Sequence, residues 1–464
     1  MNNYQNINKI LKKKILNNFQ NNKRNFFADV NKKYFYKDIY KRFLSIKKIL
    51  EQKDLKEKKI LAVIYNKSGL IFWVNFLVTF MLDMTVMPLE KDNKNYKKIE
   101  KYFDAMIIFD GLSHKIIKNS NIKINKVITK TEYISSTSGS TGNPKMILLK
   151  FDSVIKGSIE TSNRLKYKKN KNFLIGIPNF YNSAVCHFFT CLIKCMNFYS
   201  LEEFMYPKNL NYYIRKYKIN YFGGAPLQVE WIIGDNLKNK TNLEKIVSSG
   251  DFLKNSTISL FLEKKSRIHL YNIYGITEAG GRVFINNVKN SKDPFSLGKP
   301  LKHFNIVHKR VSKNIFEIGI KSKYIFLGYY SDRFSQINKL NKAYLTNDLA
   351  YKINGNYKLQ GRKNEIFKSS GIKIFPEFIK NEILKIKGIS NAFVFSKHFD
   401  LIGNVPVVAY EGKKKFDDAF IFKELSKTLQ KKQIPLEFKY YIKFPYLKNK
   451  KINKIKKKIY KQIL

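Results

Sequence analysis

Tyr133–Lys145 reads YISSTSGSTGNPK. Within it Thr137, Ser138, Gly139, Ser140, Thr141, Gly142 and Lys145 concentrate hydroxyls, glycines and a cation. Glycine lets a turning backbone come close to an anion and present its N–H groups. The hydroxyls add short donors, and the lysine adds a positive charge beside them. The β-prone YIS run in front predicts a strand feeding a loop, where an anion cradle would sit. A Walker loop is excluded, because GxxxxGK[ST] needs Ser or Thr after its lysine and Met146 stands there. An ordinary Ser/Gly surface loop would satisfy the same residues, so the rest of the chain must decide.

On either side, helix and strand patterns alternate. Residues 1–52 carry a helical periodicity decorated with Lys and Asn, and KKILAVIY at 58–65 predicts a strand. Phe72–Leu89 is the one stretch that resembles a membrane span, but Asn75, Asp83 and Pro88 interrupt it. It is read as a buried helix running into a buried strand, TVMPLE. AMIIF at 105–109 predicts another strand before the glycine-rich loop. Beyond the loop, 154–165 reads as helix, 172–178 as extended, 184–196 as helix, and 220–225 and 245–249 as strands. Such alternation predicts an α/β protein with parallel sheets covered on both faces. From about residue 300 the texture becomes short β runs, FNIVHKRV, FEIGIKS, YIFLGYY and YKLQGR, and from about 365 mixed helix and strand.

Composition bounds the function. The 464 residues, 44% hydrophobic and 15% aromatic, describe a folded chain with room for a large core. A net charge of +53 would suit a nucleic-acid binder. The lysines, however, are spread along the whole chain among many Asn, Ile, Tyr and Phe, as an AT-rich codon bias would produce. No dedicated nucleic-acid function is expected, only loose, salt-sensitive attraction to polyanions. Cys186, Cys191 and Cys195 near His187 match no common zinc spacing and lie in apolar FFTCLIKCMNF. They are read as buried small hydrophobes in a helix. This usage and the absence of a secretory pattern predict a cytoplasmic protein.

Four further stretches carry chemistry. YNIYGITEAGG, 271–281, places Tyr274, Gly275, Thr277 and Glu278 at a strand end followed by a loop. A tyrosine can stack on a base, a threonine can donate to phosphate and a carboxylate can hold Mg2+. YLTND sets Asp348 after a β run, where a carboxylate suits paired sugar hydroxyls. GRKNEIFKSSGIKIFPE supplies Arg362 and Gly371, and PYLKNKKINK offers lysines before a terminal amphipathic helix.

In this order, TSGSTGNPK, YGITEAGG, TND, GRKNEIFKSSG and the lysine-rich loop resemble the adenylate-forming superfamily. That family includes acyl-CoA synthetases, aryl-CoA ligases, nonribosomal adenylation domains and firefly luciferase. The resemblance spans roughly residues 25–460. It implies a large N-terminal domain, 1–362, of βα sheets with a β-rich subdomain from about 300, and a small mobile C-terminal domain, 363–464. Thr137–Lys145 would handle the ATP β- and γ-phosphates. Asn272 would bond the adenine amino group, Tyr274 would stack on the base, and Gly250 would lie under it. Thr277 would contact the α-phosphate, Glu278 would carry Mg2+, and Asp348 and Arg362 would hold the ribose. Lys451 would bridge the substrate carboxylate and the phosphate, with Lys450 the next candidate. The implied reaction activates a carboxylic acid with ATP. The acyl group then passes to the thiol of CoA or of a carrier protein's phosphopantetheine, through a tunnel lined near Gly371.

Several positions depart from the family pattern. Asn347 stands where Gly is usual, Asn364 replaces the hinge Asp or Lys, Phe378 and Lys380 take two Glu positions, and Lys450 replaces the Gly before the lysine. PNFYNSAV, 178–185, matches the family's acyl-pocket segment, with Tyr181 where His is common; core packing is the other reading of that segment. No Asp or Glu occurs between Asn172 and Leu201 to pair with an amine, so an apolar fatty or aryl acid is expected. An adenylating enzyme with a non-thiol acceptor, or a non-catalytic polyanion-binding relative, are the alternatives. The terminal basic helix is expected to pack on its domain, with peripheral membrane contact as the other reading.

Overall fold

A computed structural model of the chain describes residues 7–20, 25–29, 32–66, 69–90, 93–123, 132–136, 146–200, 207–235, 241–312, 314–330, 334–336, 343–369, 372–399 and 403–444. The chain divides into two compact units, one of residues 1–306 with 320–344 and one of 307–319 with 345–464.

The first unit carries two large sheets. In the nine-stranded sheet, six strands run parallel in the order His269–Tyr274, Lys245–Ser249, Tyr221–Gly224, Asn172–Ile175, Asn197–Ser200 and Phe26–Ala28. Antiparallel strands Phe284–Asn287 and Lys299–Pro300 extend one side, and Lys33–Phe35 closes the other. The eight-stranded sheet has a parallel centre, Thr85–Glu90, Ile60–Asn66 and Ala105–Asp110. Tyr133–Ser136 joins it in parallel and pairs antiparallel with Met146–Leu149.

Helix Gly69–Met81, GLIFWVNFLVTFM, is apolar all round and is buried on every side through Phe80. A helix with no polar face has to lie inside a core or a bilayer. Thirteen residues span only about 20 Å, short of the roughly 30 Å of a hydrocarbon layer. Core burial wins: the Trp73 ring stacks on Phe188 at 4.5 Å, and its Nε1–H donates to Asn179 Oδ1 at 3.0 Å. Among the described residues no helix is long and apolar enough to cross a membrane.

The expected α/β alternation holds through this unit, with two differences. The helical reading of residues 1–52 breaks into helices Ile7–Gln20 and Tyr36–Gln52 around two short strands. Phe27 pairs with Phe198 and lies 5.4 Å from Phe188, so sheet pairing of the Phe26–Phe27 step overrides local periodicity. Strand Ser113–Lys118 lacks a clear signal in the sequence because it is a half-exposed edge whose lysines face solvent. The three cysteines are free and buried, Cys186 and Cys191 inside helix Asn182–Lys194 and Cys195 capping it in the left-handed region.

The second unit carries most of a four-stranded sheet in the order Asn305–Arg310, Phe316–Lys321, Tyr344–Ile353, Asn356–Arg362. Beyond it, strands Ile389–Phe399, Gly403–Gly412 and Glu437–Tyr441 form a three-stranded sheet with helices Pro376–Ile383 and Asp418–Ser426. Their apolar faces share one core, including Ile374, Ile383, Val408, Tyr410 and Leu425.

Candidate active site

In open α/β sheets, ligands bind outside the carboxyl ends of the parallel strands. Two such ends lie side by side in the first unit. Ser248 pairs with Asn272 and Ser249 with Ile273, so Gly250 follows one strand where Tyr274 and Gly275 end the next. The chain then turns sharply. A Cβ on Gly275 would lie 2.0 Å from the Gly281 carbonyl oxygen, so only glycine allows that closure. The turn Thr277–Ala279 follows immediately, which puts the Thr277 and Glu278 side chains at the strand end.

The position of Glu278 is held from outside its own segment. Tyr329 Oη–H donates to Glu278 Oε1 at 2.6 Å and lies 2.8 Å from the Tyr344 hydroxyl. The Phe326 N–H donates to the Glu278 carbonyl at 2.7 Å. Burial first, and then the Glu278 charge, push the Tyr329 phenol far above its ordinary value of 10.0, so it remains a donor. Magnesium is commonly held by one or two carboxylates plus substrate phosphates. Glu278, fixed through one oxygen, fits such a ligand, and no cluster of three or more acidic, His or Cys side chains competes for a metal among the described residues.

Tyr181 caps helix Asn182–Lys194 and is half-buried. Burial, with Glu90 second, pushes its phenol up to about 12. The same helix carries His187, whose Nδ1 lies 3.1 Å from Arg282 Nη2. Arg282, directly after the YGITEAGG stretch, is fully buried at 1% exposure. Nothing in the local sequence marks it, because an arginine after two glycines reads as a surface residue.

In the second unit, Asp348 and Arg362 face each other across an antiparallel pair, with Arg362 Nε 3.1 Å from Asp348 Oδ1. Asp348 is buried while the Arg362 side chain is 52% exposed, an arrangement suited to presenting one carboxylate edge. Asn347 has φ +62°, the left-handed region that Gly and Asn tolerate best. Its departure from the family's glycine therefore keeps the backbone shape. The buried Glu317 carboxylate accepts from the Asn347 N–H at 3.1 Å and from Lys363 Nζ at 2.9 Å, beside Asn364 in the turn Lys363–Glu365. Phe378 packs against the core of this unit, and Lys380 pairs with Glu377 at 2.9 Å.

Thr137, Ser138, Gly139, Ser140, Thr141, Gly142 and Lys145 lie outside the described residues, between the paired strand ends Ser136 and Met146. Gly371, Lys450 and Lys451 also lie outside them, as does the terminal helical pattern.

Residues 129–330 match the family of AMP-binding enzymes. The chain is 23% identical over 331 residues to a 2-succinylbenzoate–CoA ligase of Staphylococcus epidermidis, a match covering 70% of this chain and 69% of that relative. Among solved structures, O-succinylbenzoate coenzyme A synthetase from Bacillus subtilis in complex with ATP and magnesium ion superposes with a TM-score of 0.77. Identity there is 16%, with 95% of this chain and 98% of that one covered. ATP-bound MatB from Rhodopseudomonas palustris gives a TM-score of 0.81 at 16% identity, covering 99% and 100%. The likeness in fold to these solved structures therefore reaches beyond the segment that the family match covers.

Proposed function

We propose that the protein is an ATP-dependent acid–thiol ligase. It would join a carboxylic acid to AMP with release of pyrophosphate, then pass the acyl group to a thiol, giving a thioester and AMP. One observation carries this reading: Glu278 sits in the turn directly after the strand bearing Asn272 and Tyr274, its carboxylate held by Tyr329. The succinylbenzoate–CoA ligase relative supports CoA as the acceptor and an aryl acid as the substrate. Three free buried thiols suit a reducing cytoplasm.

A carboxylate is a poor acyl donor, because its oxygen leaves badly; when that oxygen attacks the ATP α-phosphorus, pyrophosphate departs and the same oxygen becomes part of AMP, a good leaving group for the thiol to displace. Negative charge builds on the phosphoryl oxygens in the transition state, so donors fixed in advance lower the barrier. Thr277 supplies a hydroxyl to the α-phosphate, the Thr137–Lys145 loop covers the β- and γ-phosphates, and Lys451 bridges the acid carboxylate and the phosphate. Asn272 and Tyr274 hold the adenine over Gly250, and Asp348 with Arg362 holds the ribose. Glu278 would hold a magnesium ion, which would supply positive charge to the phosphates. Tyr181 lines the acyl pocket and Gly371 the path of the thiol. The pivot between the two half-reactions lies at Asn364, beside the Lys363–Glu317 pair.

ATP–pyrophosphate exchange with fatty, aryl and amino acids, with and without CoA, tests the reading. Exchange with aryl acids and thioester formation with CoA are expected. Exchange without thioester would mean a non-thiol acceptor, and no exchange with any acid at low salt would mean a non-catalytic protein. Lys451→Ala should abolish exchange while ATP still binds; retained exchange would shift the role to Lys450.

A further inference from the structure

Glu317 is 1% exposed and lies on the strand beside the one that carries Asp348. Both of its carboxylate oxygens are used. Oε1 accepts from the Asn347 backbone N–H at 3.1 Å, and Oε2 accepts from Lys363 Nζ at 2.9 Å. Asn347 directly precedes Asp348, and Lys363 directly follows Arg362. Asp348 and Arg362 in turn face each other across their own strand pair. One buried side chain therefore holds the chain immediately next to each member of that pair.

The backbone at these points departs from a regular strand. Asn347 has φ +62°, and Gly361, just before Arg362, has φ +125°. Both values lie in the left-handed region, so the directions in which Asp348 and Arg362 leave the chain depend on local turns. The pairing register also shifts between Leu349 and Ala350. Side chains hold the backbone where the irregularity begins. The Asp348 N–H donates to Thr346 Oγ1 at 3.1 Å, and the Thr346 hydroxyl donates to the Ile318 carbonyl at 2.9 Å. The amides of Asn347 and Asp348 are thus both tied to side chains, and both ties lead to strand Phe316–Lys321.

A carboxylate taken out of water is costly unless it is paired and hydrogen-bonded. An amide of the same shape could accept the Asn347 N–H with no charge to bury, so packing alone does not call for glutamate here. The charge adds strength and reach. A charged acceptor holds an N–H roughly twice as strongly as a neutral one. Only a carboxylate can accept at both oxygens, from the amide and the ammonium together. We propose that Glu317 is a positioning residue of the ribose subsite, holding the Asp348 carboxylate where the two ribose hydroxyls can donate to it. This rests on the ATP-dependent function proposed above, and Glu317 acts through Asp348 and Arg362 rather than on the nucleotide itself.

The test uses the full chain, an acid that supports exchange, and ATP, 2′-deoxy-ATP and 3′-deoxy-ATP. Each nucleotide is measured by pyrophosphate exchange and by calorimetric binding without acid. The parent should favour ATP over either deoxy form by about 10–100-fold in kcat/KM, as expected for a hydroxyl donating to a carboxylate. Glu317→Gln sets a donor against one of the two ties, because an amide accepts at only one atom. The preference for ATP should then fall to within about threefold, through the KM for ATP, with kcat and the KM for the acid within about threefold of the parent. Asp348→Asn should lower the preference equally, and adding Glu317→Gln to it should change nothing further, since both act through one carboxylate. Should Glu317→Gln fail to fold, Lys363→Gln at its half-exposed position carries the test, with an expected fall of about threefold. An unchanged preference in the variant tested would overturn the proposal. So would a KM raised equally for all three nucleotides, or effects of Glu317 and Asp348 that add. If no acid supports exchange, the ligase reading fails by itself. Calorimetry still decides Glu317: a lost difference between ATP and the deoxy forms supports it, and a retained difference, or none in the parent, overturns it.

Discussion

Replacing Tyr329 by Phe removes one oxygen next to Glu278 and leaves the ring in place against Phe326, whose centroid lies 4.8 Å away. An ionised carboxylate only accepts, so the phenol is the donor in the 2.6 Å contact with Glu278 Oε1. Its strongly raised pKa keeps the proton on the phenol at any working pH. A hydrogen bond to a charged group contributes about 1.5–3 kcal/mol. Both side chains are only half-buried, so the lower part of that range, about 1–2 kcal/mol, is the better expectation. At about 1.4 kcal/mol per factor of ten, this corresponds to roughly 5–30-fold. The loss should fall on the carboxylate's orientation toward magnesium. Pyrophosphate exchange measured across a magnesium titration is the assay, and half-saturation should move up by about 5–30-fold while the rate at saturation changes less. Tyr344→Phe, one hydroxyl further out, should give a smaller shift in the same direction. An unchanged magnesium dependence in Tyr329→Phe would refute the reasoning, and a loss confined to thermal stability would reduce Tyr329 to scaffold.

Two further outcomes follow from backbone shape and burial. Asn347→Gly should leave stability within about 0.5 kcal/mol, whereas Asn347→Ala should cost about 1 kcal/mol because φ +62° strains a β-carbon without an amide to compensate; urea midpoints compare them. For His187, the unfolded chain takes up a proton as pH falls through the ordinary 6.5, while the folded chain, with its lowered pKa, does not. The unfolded state therefore binds more protons in that window, and stability falls with acidification by up to about 1.4 kcal/mol per pH unit from this group. Unfolding midpoints at pH 7.5 and 5.5 should show that share of the slope missing in His187→Gln; equal slopes would mean that His187 titrates normally.

Much of the candidate site could be proposed from sequence because its residues are clustered in short motifs. Asn272, Tyr274, Thr277 and Glu278 fall within seven positions, and a strand followed by a turn places them together without long-range help. The residues that went unread are those whose role depends on a partner far along the chain. Tyr329 reaches Glu278 across 51 positions and looks, in GYY, like any strand tyrosine. Arg282 meets His187 across 95 positions, and His187 reads from its neighbours only as one more residue of an apolar helix.

The Asn347 substitution shows the same division from the other side. As letters, TND in place of TGD is a departure; as a backbone at φ +62°, it is a residue type suited to the position. The sequence by itself determined the α/β class, the order of the candidate ATP-handling motifs and the burial of the Gly69–Met81 helix. Each of these is written in periodicity or in residues a few positions apart. Only the tertiary structure decided that Asp348 faces Arg362, that Glu278 is held through a phenol, and that Arg282 is interior, against His187. Register, burial and charge balance depend on which distant segments meet, and that is settled only when the sheets have formed.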